Sequence, residues 1–242
     1  MIILFTDFGA SDLYVGQVKA ALFRRAPAVP VVDLLHDVPN HDVEAGAHLL
    51  AALSDRFSPG CVFLAVVDPG VGSRRNAAAM VADGRWYIGP DNGLLSVVAG
   101  RAQELRVWHI GAPAAGMSVS FHGRDLFAPF AAATAAGEFP SAQVQPVARL
   151  DVRLDAGDLE RVVYIDHYGN AFTGLCAAQL PLAATLVVNG HEISYARVFS
   201  EAADGCPFWY PNSIGLVEIA VNRGSAAQQL GLAPASPVYV KR

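Results

Sequence analysis

The sequence predicts an α/β protein: an amino-terminal, mostly parallel sheet sandwiched by helices, followed by a smaller, barrel-like, β-rich domain. Three observations carry this. Up to about residue 150, short apolar runs alternate with helical patterns, the signature of βαβ units. Four segments, Thr6-Asp7-Phe8-Gly9, Asp68-Pro69-Gly70-Val71-Gly72, Gly89-Pro90-Asp91-Asn92-Gly93 and Phe121-His122-Gly123-Arg124-Asp125, each read as following such a run. They place glycine beside a carboxylate or imidazole, where a parallel sheet presents its chemistry at the carboxyl ends of its strands. From about Leu159 onward the pattern becomes short strands separated by turn residues.

Ile2 to Phe5 reads as the first strand. Ser11 then offers a cap for a helix from about Asp12 to Ala26, stopped by Pro27, with Tyr14, Val18, Ala21 and Leu22 as its inward face. Val31 to Leu35 is the second strand, and a helix from about Asp42 to Arg56 leads to the apolar strand Val62 to Val67. Arg124 to Ala136 reads as a further helix with an alanine-rich face suited to close packing. In the second part, strands are expected at Arg161 to Ile165, Thr185 to Val188, Glu192 to Tyr195, Leu216 to Val221 and Val238 to Val240. The boundary is placed in the polar stretch Asp151 to Asp158, giving domains 1–156 and 157–242.

Composition limits the function. The 242 residues are 53% hydrophobic, enough for a sizeable core. With 17 basic and 22 acidic residues and no run of Lys or Arg, neither nucleic acid nor an anionic membrane is an expected partner. Cys61, Cys176 and Cys206 lie far apart and form no Cys-x-x-Cys pair, so no disulfide framework is expected and a cytoplasmic location is. Asp7 arrives too early for a signal peptide. No apolar window approaches the roughly 18 residues that a membrane span requires.

The chemistry-bearing residues admit more than one reading by themselves. Asp7 follows a strand and precedes Gly9, which suits either an exposed site carboxylate or a turn cap. Asp12 suits the first turn of a helix, where the macrodipole favours a negative charge. Asp68 ends the most apolar strand, and the Pro69-Gly70-Val71-Gly72 turn has amides that could cradle an anion. A phosphate loop is excluded, since no Gly-Lys-Ser/Thr follows and no Gly-x-Gly-x-x-Gly opens a helix. Arg74 and Arg75 read as solvated turn residues, and His122 as a structural histidine or a catalytic one. Asp33, His36, Asp37, His41, Asp42 and His48 raise a metal site, but their spacing fits no zinc motif and His41 to Asp42 suits a helix cap, so no metal is expected.

Taken together, these motifs resemble the S-adenosylmethionine hydroxide adenosyltransferases, hydrolytic relatives of fluorinase and chlorinase. The resemblance extends from Thr6-Asp7-Phe8-Gly9 to Asn212-Ser213 and Asn222. It implies a homotrimer that holds S-adenosylmethionine between domains of adjacent subunits, with this molecule as substrate and no cofactor. It implies that Asp7 accepts both ribose hydroxyls, that Phe8 and Phe121 line the substrate site, and that Asp12 meets the methionine amino group. Asp68 becomes a catalytic carboxylate with Arg75 as its cationic partner, Arg74 being the neighbouring alternative. Fluorinase carries tyrosine at the position of Asp68 and serine at that of Gly123, and the chlorinase lacks the histidine. Asp68, Arg75 and His122 therefore point to water or hydroxide as the nucleophile.

In the second domain, the resemblance gives Asp166 to the methionine amino group and Asn170, followed by Phe172, to adenine, an amide that can both donate and accept. Tyr168, Phe199 and Tyr210 match aromatic positions around the nucleoside; Ser213 matches a methionine-binding position, and Asn222 completes the set. Ile214 stands where fluorinase has an arginine, which leaves the substrate carboxylate without a matched partner. The implied reaction is attack at ribose C5′ with methionine leaving as a neutral thioether, so the nucleophile needs help and the leaving group does not. A halogenase and a non-catalytic nucleoside-binding protein are the alternatives.

Overall fold

The computed structural model describes residues 1–111 and 116–241. Contacts within the chain divide it into Met1–Ala156 and Gly157–Arg242.

In the first unit, β1 (Ile2–Thr6) is buried at every position, as an apolar run without alternation must be when a sheet is covered on both faces. Helix α1 (Leu13–Arg25) follows. Its cap is Asp12, whose carboxylate accepts from Leu13 N at 2.6 Å, and not Ser11, which lies one residue too early. Val15, Val18, Ala21 and Leu22 form the inward face. Tyr14, expected there, sits at the edge of that stripe and is 42% exposed. β2 (Val31–Leu35) and α2 (Val43–Ser54) come next, the helix capped by Asp42, whose Oδ1 accepts from Ala45 N at 3.0 Å. β3 (Val62–Val66) is again buried throughout.

The chain then forms β4 (Ala77–Ala82), β5 (Arg85–Pro90), α3 (Ser96–Arg101), β6 (Leu105–Ile110), α4 (Ala128–Ala135) and β7 (Val144–Val147). The seven strands lie in the order β2-β1-β3-β5-β4-β6-β7. β2, β1, β3 and β5 pair in parallel, whereas β4 runs against both β5 and β6, and β7 against β6. The β4–β5 hairpin turns on Asp83 and Gly84, at φ 47° and 78°, the two left-handed residues that a tight hairpin turn demands.

Two local features position chemistry. Thr6 pairs with Val66, so β1 and β3 end side by side, and Asp7 and Asp68 leave the sheet at the same edge. Phe121 does not follow a strand as the sequence suggests: residues 116–121 are turns and irregular backbone, and His122 leads into a π-helical turn over Gly123–Phe127 that continues as α4. Its wider winding is marked by Ala128 N donating to Gly123 O, five residues back.

The second unit comprises β8 (Leu159–Ile165), β9 (Ala171–Cys176), β10 (Thr185–Val188), β11 (His191–Ile193), β12 (Pro207–Pro211), β13 (Leu216–Val221), α5 (Ala226–Leu230) and β14 (Tyr239–Lys241). A four-stranded sheet, β12-β13-β9-β8, and a three-stranded one, β11-β10-β14, are both antiparallel. Their shared core includes Trp209, Leu186, Val217 and Ile219. No helix among the described residues is long and apolar enough to cross a membrane.

Candidate active site

A cavity of about 440 Å³, within the usual size range of small-molecule sites, opens at the shared edge of β1 and β3. Asp7, Phe8, Asp12, Asp68, Phe121 and His122, all picked out in the sequence, line it. Asp7 Oδ2 accepts from His41 N at 3.2 Å. Burial raises the Asp7 pKa above the usual carboxylate value, and the His41 hydrogen bond opposes that shift.

Arg75, expected in the site, is not among the lining residues; from behind one wall it joins two lining side chains that are distant in sequence. Its Nε donates to Asp68 Oδ1 at 2.8 Å and its Nη2 to Asp68 Oδ2, a two-pronged pairing that fits a planar guanidinium to a carboxylate. The side chains of Arg75 and Asp68 are only 10% and 5% exposed, so each charge depends on the other. The same Nη2 lies 3.1 Å from His122 Nδ1. Since arginine can only donate, His122 Nδ1 must accept, which puts the ring proton of the neutral imidazole on Nε2. Burial lowers the His122 pKa, and the nearby Arg75 charge lowers it further; Asp68 and Asp125 partly offset this. Arg74, the sequence alternative, makes no ion pair with Asp68 among the described residues.

The approach to His122 is tied down locally. Asp125 Oδ2 accepts from Ser118 N at 2.9 Å, and Arg124 pairs with Asp125 while its guanidinium lies 5.0 Å from the centre of the Phe121 ring. Hydrogen bonding to Arg124 holds the Asp125 pKa below its usual value. Phe121 packs edge-on against Phe8 and Tyr14, which are tilted to each other, with ring centres 5.4–5.9 Å apart. A Cβ on Gly123 would stand 3.0 Å from Phe8 Cζ, so this close approach excludes a side chain unless Phe8 moves.

The second unit has its own cavity, of about 650 Å³, lined by Asp166, Tyr168, Asn170, Phe172, Phe199, Tyr210 and Ser213. Asp166 Oδ1 accepts from the backbone N–H groups of Tyr168 (2.9 Å) and Asn170 (2.8 Å), which closes the β8–β9 turn. Phe199 packs against Phe208 and Tyr210 with centroids 5.1 and 5.5 Å apart. Glu218 and Arg223 also line the cavity and were not singled out in the sequence. Glu218 had a visible signal: it is the lone charge in the apolar strand β13. Burial raises its pKa, and the hydrogen bond from Tyr210 pulls the other way.

Several sequence expectations fall elsewhere. Asn222 does not line either cavity; its Nδ2 donates to Ala202 O at 2.8 Å and to Asp204 Oδ1 at 3.1 Å, fastening a loop. Asn170 lines the second cavity as expected and donates one amide hydrogen to Asp166 Oδ2 at 3.2 Å, which leaves its second N–H and its carbonyl oxygen for a ligand. His36 bridges Thr6 Oγ1 (2.8 Å) and Asp33 Oδ1 (3.1 Å), and Asp42 caps a helix. Among the described residues, the group with metal-ligating spacing is Asp91, His109 and Asp151, whose ligand atoms lie within 4.8 Å of one another. There Asp91 also accepts from the backbone of Asp151 and Val152, which ties the end of β5 to the segment after β7.

Two family models match this chain: the SAM hydroxide adenosyltransferase N-terminal domain over residues 2–145 and the corresponding C-terminal domain over 160–239. A Thermus thermophilus protein named (R)-S-adenosyl-L-methionine hydrolase is 41% identical over 96% of this chain and 96% of its own length. A fluorinase of Nocardia brasiliensis is 27% identical over 100% of this chain and 96% of its own. The crystal structure of an uncharacterized conserved protein from Thermotoga maritima superimposes with a TM-score of 0.90 at 30% identity, covering 100% of both chains.

Proposed function

The chain belongs to the SAM hydroxide adenosyltransferase family, and from that premise we propose that it hydrolyses S-adenosyl-L-methionine to adenosine and L-methionine. The observation that carries this is that Arg75 links Asp68 to His122, two residues on the wall of a cavity that Asp7 also lines. Pure binding of a cationic sulfonium would be served by carboxylates alone, whereas a buried arginine lessens attraction for the cation and can stabilise negative charge that develops during reaction.

In the proposed step, a water oxygen attacks ribose C5′ as the C5′–S bond breaks, and the electron pair goes to sulfur, giving neutral methionine. The water's proton passes to the Asp68 carboxylate. Arg75 stabilises negative charge on the entering oxygen. His122 orients that oxygen from its Nε2–H side, because Nδ1 is already occupied by Arg75. Asp7, with two acceptor oxygens at the strand edge, takes the ribose hydroxyls. In the second cavity, the aromatic walls take the base. S-adenosylmethionine is the substrate in this scheme, and no cofactor or metal takes part.

The residues fall in two units, Asp7 and Asp68 in one and Asp166 and Asn170 in the other. On the family resemblance together with this division we propose a homotrimer that holds substrate between domains of adjacent subunits, and on the scattered cysteines a cytoplasmic location. Exposed apolar side chains beside the first cavity, Val119 at 76% and Leu13 at 63%, suit a covering neighbour.

Incubation with S-adenosylmethionine in water enriched in heavy oxygen tests the reading. The label should enter the 5′-hydroxyl of adenosine, with chelator present and with chloride or fluoride added. A 5′-halogenated nucleoside as main product would support the halogenase reading instead. Supplying the two sulfonium epimers separately reads the chain's own preference, since its relatives are named for the (R) form.

A further inference from the structure

His41 has no part in the reaction proposed above, yet it lines the first cavity in an uncommon conformation. Its backbone lies in the left-handed region, at φ 64°, where glycine rests without penalty and few other residues do. Asp42 N donates to Pro39 O at 3.0 Å, closing a four-residue turn with His41 in third place. Turns that need a positive φ at that place ordinarily take glycine or asparagine. A left-handed residue held beside a ligand-facing carboxylate points to its conformation as something the site uses.

Contacts on both sides fix where this residue is aimed. Residues 36–41 are laced onto the end of β1: Gly9 N donates to His36 O at 2.8 Å, Val38 N to Thr6 O at 3.2 Å and Ala10 N to Asp37 Oδ1 at 3.4 Å. Beyond it, Val43 N donates to His41 O at 3.1 Å and Asp42 caps α2. With both flanks held, the His41 N–H meets Asp7 Oδ2 at 3.2 Å. An ionised carboxylate has about four lone-pair sites, so one such hydrogen bond orients it without exhausting it.

We infer that His41 is a positioning residue for Asp7: its left-handed backbone aims one N–H at Oδ2 and so holds the carboxylate turned to the ribose diol. The inference rests on the proposed function, in which Asp7 takes the ribose hydroxyls. The second side-chain torsion of aspartate is broad. Without a fixed donor the carboxylate plane would wander, and ordering it would weigh on substrate binding. The main chain carries this effect, and the imidazole does not.

Calorimetric binding of adenosine and 2′,3′-dideoxyadenosine to the full chain is the test, because the two ligands differ only in the diol. The wild-type protein should prefer adenosine by at least about 100-fold, and Asp7→Ala should abolish that preference. His41→Pro removes the N–H and forces a negative φ. A backbone ester at residue 41, with the imidazole kept, removes the N–H alone and carries the test should the proline variant not fold. Either change should cut the preference by about tenfold or more, as loss of a hydrogen bond to a charged group does. His41→Gly, which suits the left-handed backbone and keeps the donor, should hold the preference within about threefold. Full preference in the ester protein would overturn the inference and leave the ribose reading of Asp7 standing. A loss in His41→Gly as large as in the ester would also overturn it, by assigning the effect to the imidazole. Equal binding of both nucleosides by the wild-type protein, or full preference in Asp7→Ala, would overturn the ribose reading and the inference with it.

Discussion

The cavity at the edge of the parallel sheet sets an ion pair and a neutral imidazole along its wall, whereas the cavity of the second unit sets carboxylates that draw hydrogen bonds inward among aromatic rings. Both bury charge, but to different ends. In the first, Arg75 neutralises Asp68, and burial together with the Arg75 charge disfavours a proton on His122, which leaves the wall ready for charge that appears only during reaction. In the second, Glu218 and Asp166 fix the orientation of neighbouring groups, a state that matters before any bond changes. Chemistry and recognition are thus carried by separate networks, and substitutions in the two units should change different kinetic quantities.

The largest effect should come from Asp68→Asn, which preserves size and removes the proton acceptor. Turnover should fall on the order of 10² to 10⁴, with substrate affinity little changed when calorimetry and chromatography of adenosine are run in parallel. A variant with wild-type turnover would erase the distinction between the cavities.

His122→Ala should also lower kcat, and combining it with Asp68→Asn should give less than the product of the two losses, because both act on one nucleophile. The same histidine supplies a pH test. Its folded pKa is lowered below the ordinary value of about 6.5, so the folded protein resists a proton that the unfolded chain accepts. Stability linked to His122 should be whole above that value and decline as pH falls from it toward the lowered one. Activity should fall only at the lower end of this window, where protonation ends the Arg75 contact at Nδ1. A kcat profile whose acid limb lies above pH 6.5 would contradict this assignment.

Smaller effects are expected in the second unit. Phe199→Ala removes one aromatic wall and should weaken affinity by roughly 1–3 kcal/mol, the usual worth of a stacked base, while kcat changes less. Asn222→Ala should cost on the order of 1 kcal/mol of stability through its two loop hydrogen bonds and alter substrate affinity by no more than about twofold. A large affinity loss would mean that the loop it fastens forms part of the recognition surface.

Much of the first unit was legible because its signals are local. Val31–Leu35 is apolar except for Asp33 and is closed by turns, and Asp7 and Asp68 stand where strands buried on both faces stop. The β4–β5 hairpin announces itself by Asp83-Gly84, yet the alanines of β4 lack strand propensity and masked it. Thr185–Val188 and Leu216–Val221 were readable by alternation or continuous burial, whereas β14 lies one residue beyond its expected range because its ends are set by pairing with β10. The choice between Arg74 and Arg75 was illegible, since it turns on which side chain reaches Asp68 and His122 across 47 residues of sequence. The loop contacts of Asn222 were illegible for a related reason: its residue type does not say that its amide nitrogen meets Ala202 O and Asp204 Oδ1 some 20 residues away.

The wide turn that carries His122 into α4 also bears on how this segment can change over time. A turn closed from Ala128 to Gly123 holds one residue more than an ordinary helical turn. Loss of any single codon between them would restore regular winding and rotate everything upstream by about 100°, carrying the imidazole away from its arginine. Substitutions here would act through fit, but insertions and deletions would act through phase: the place of the imidazole depends on the segment's length as much as on the histidine itself.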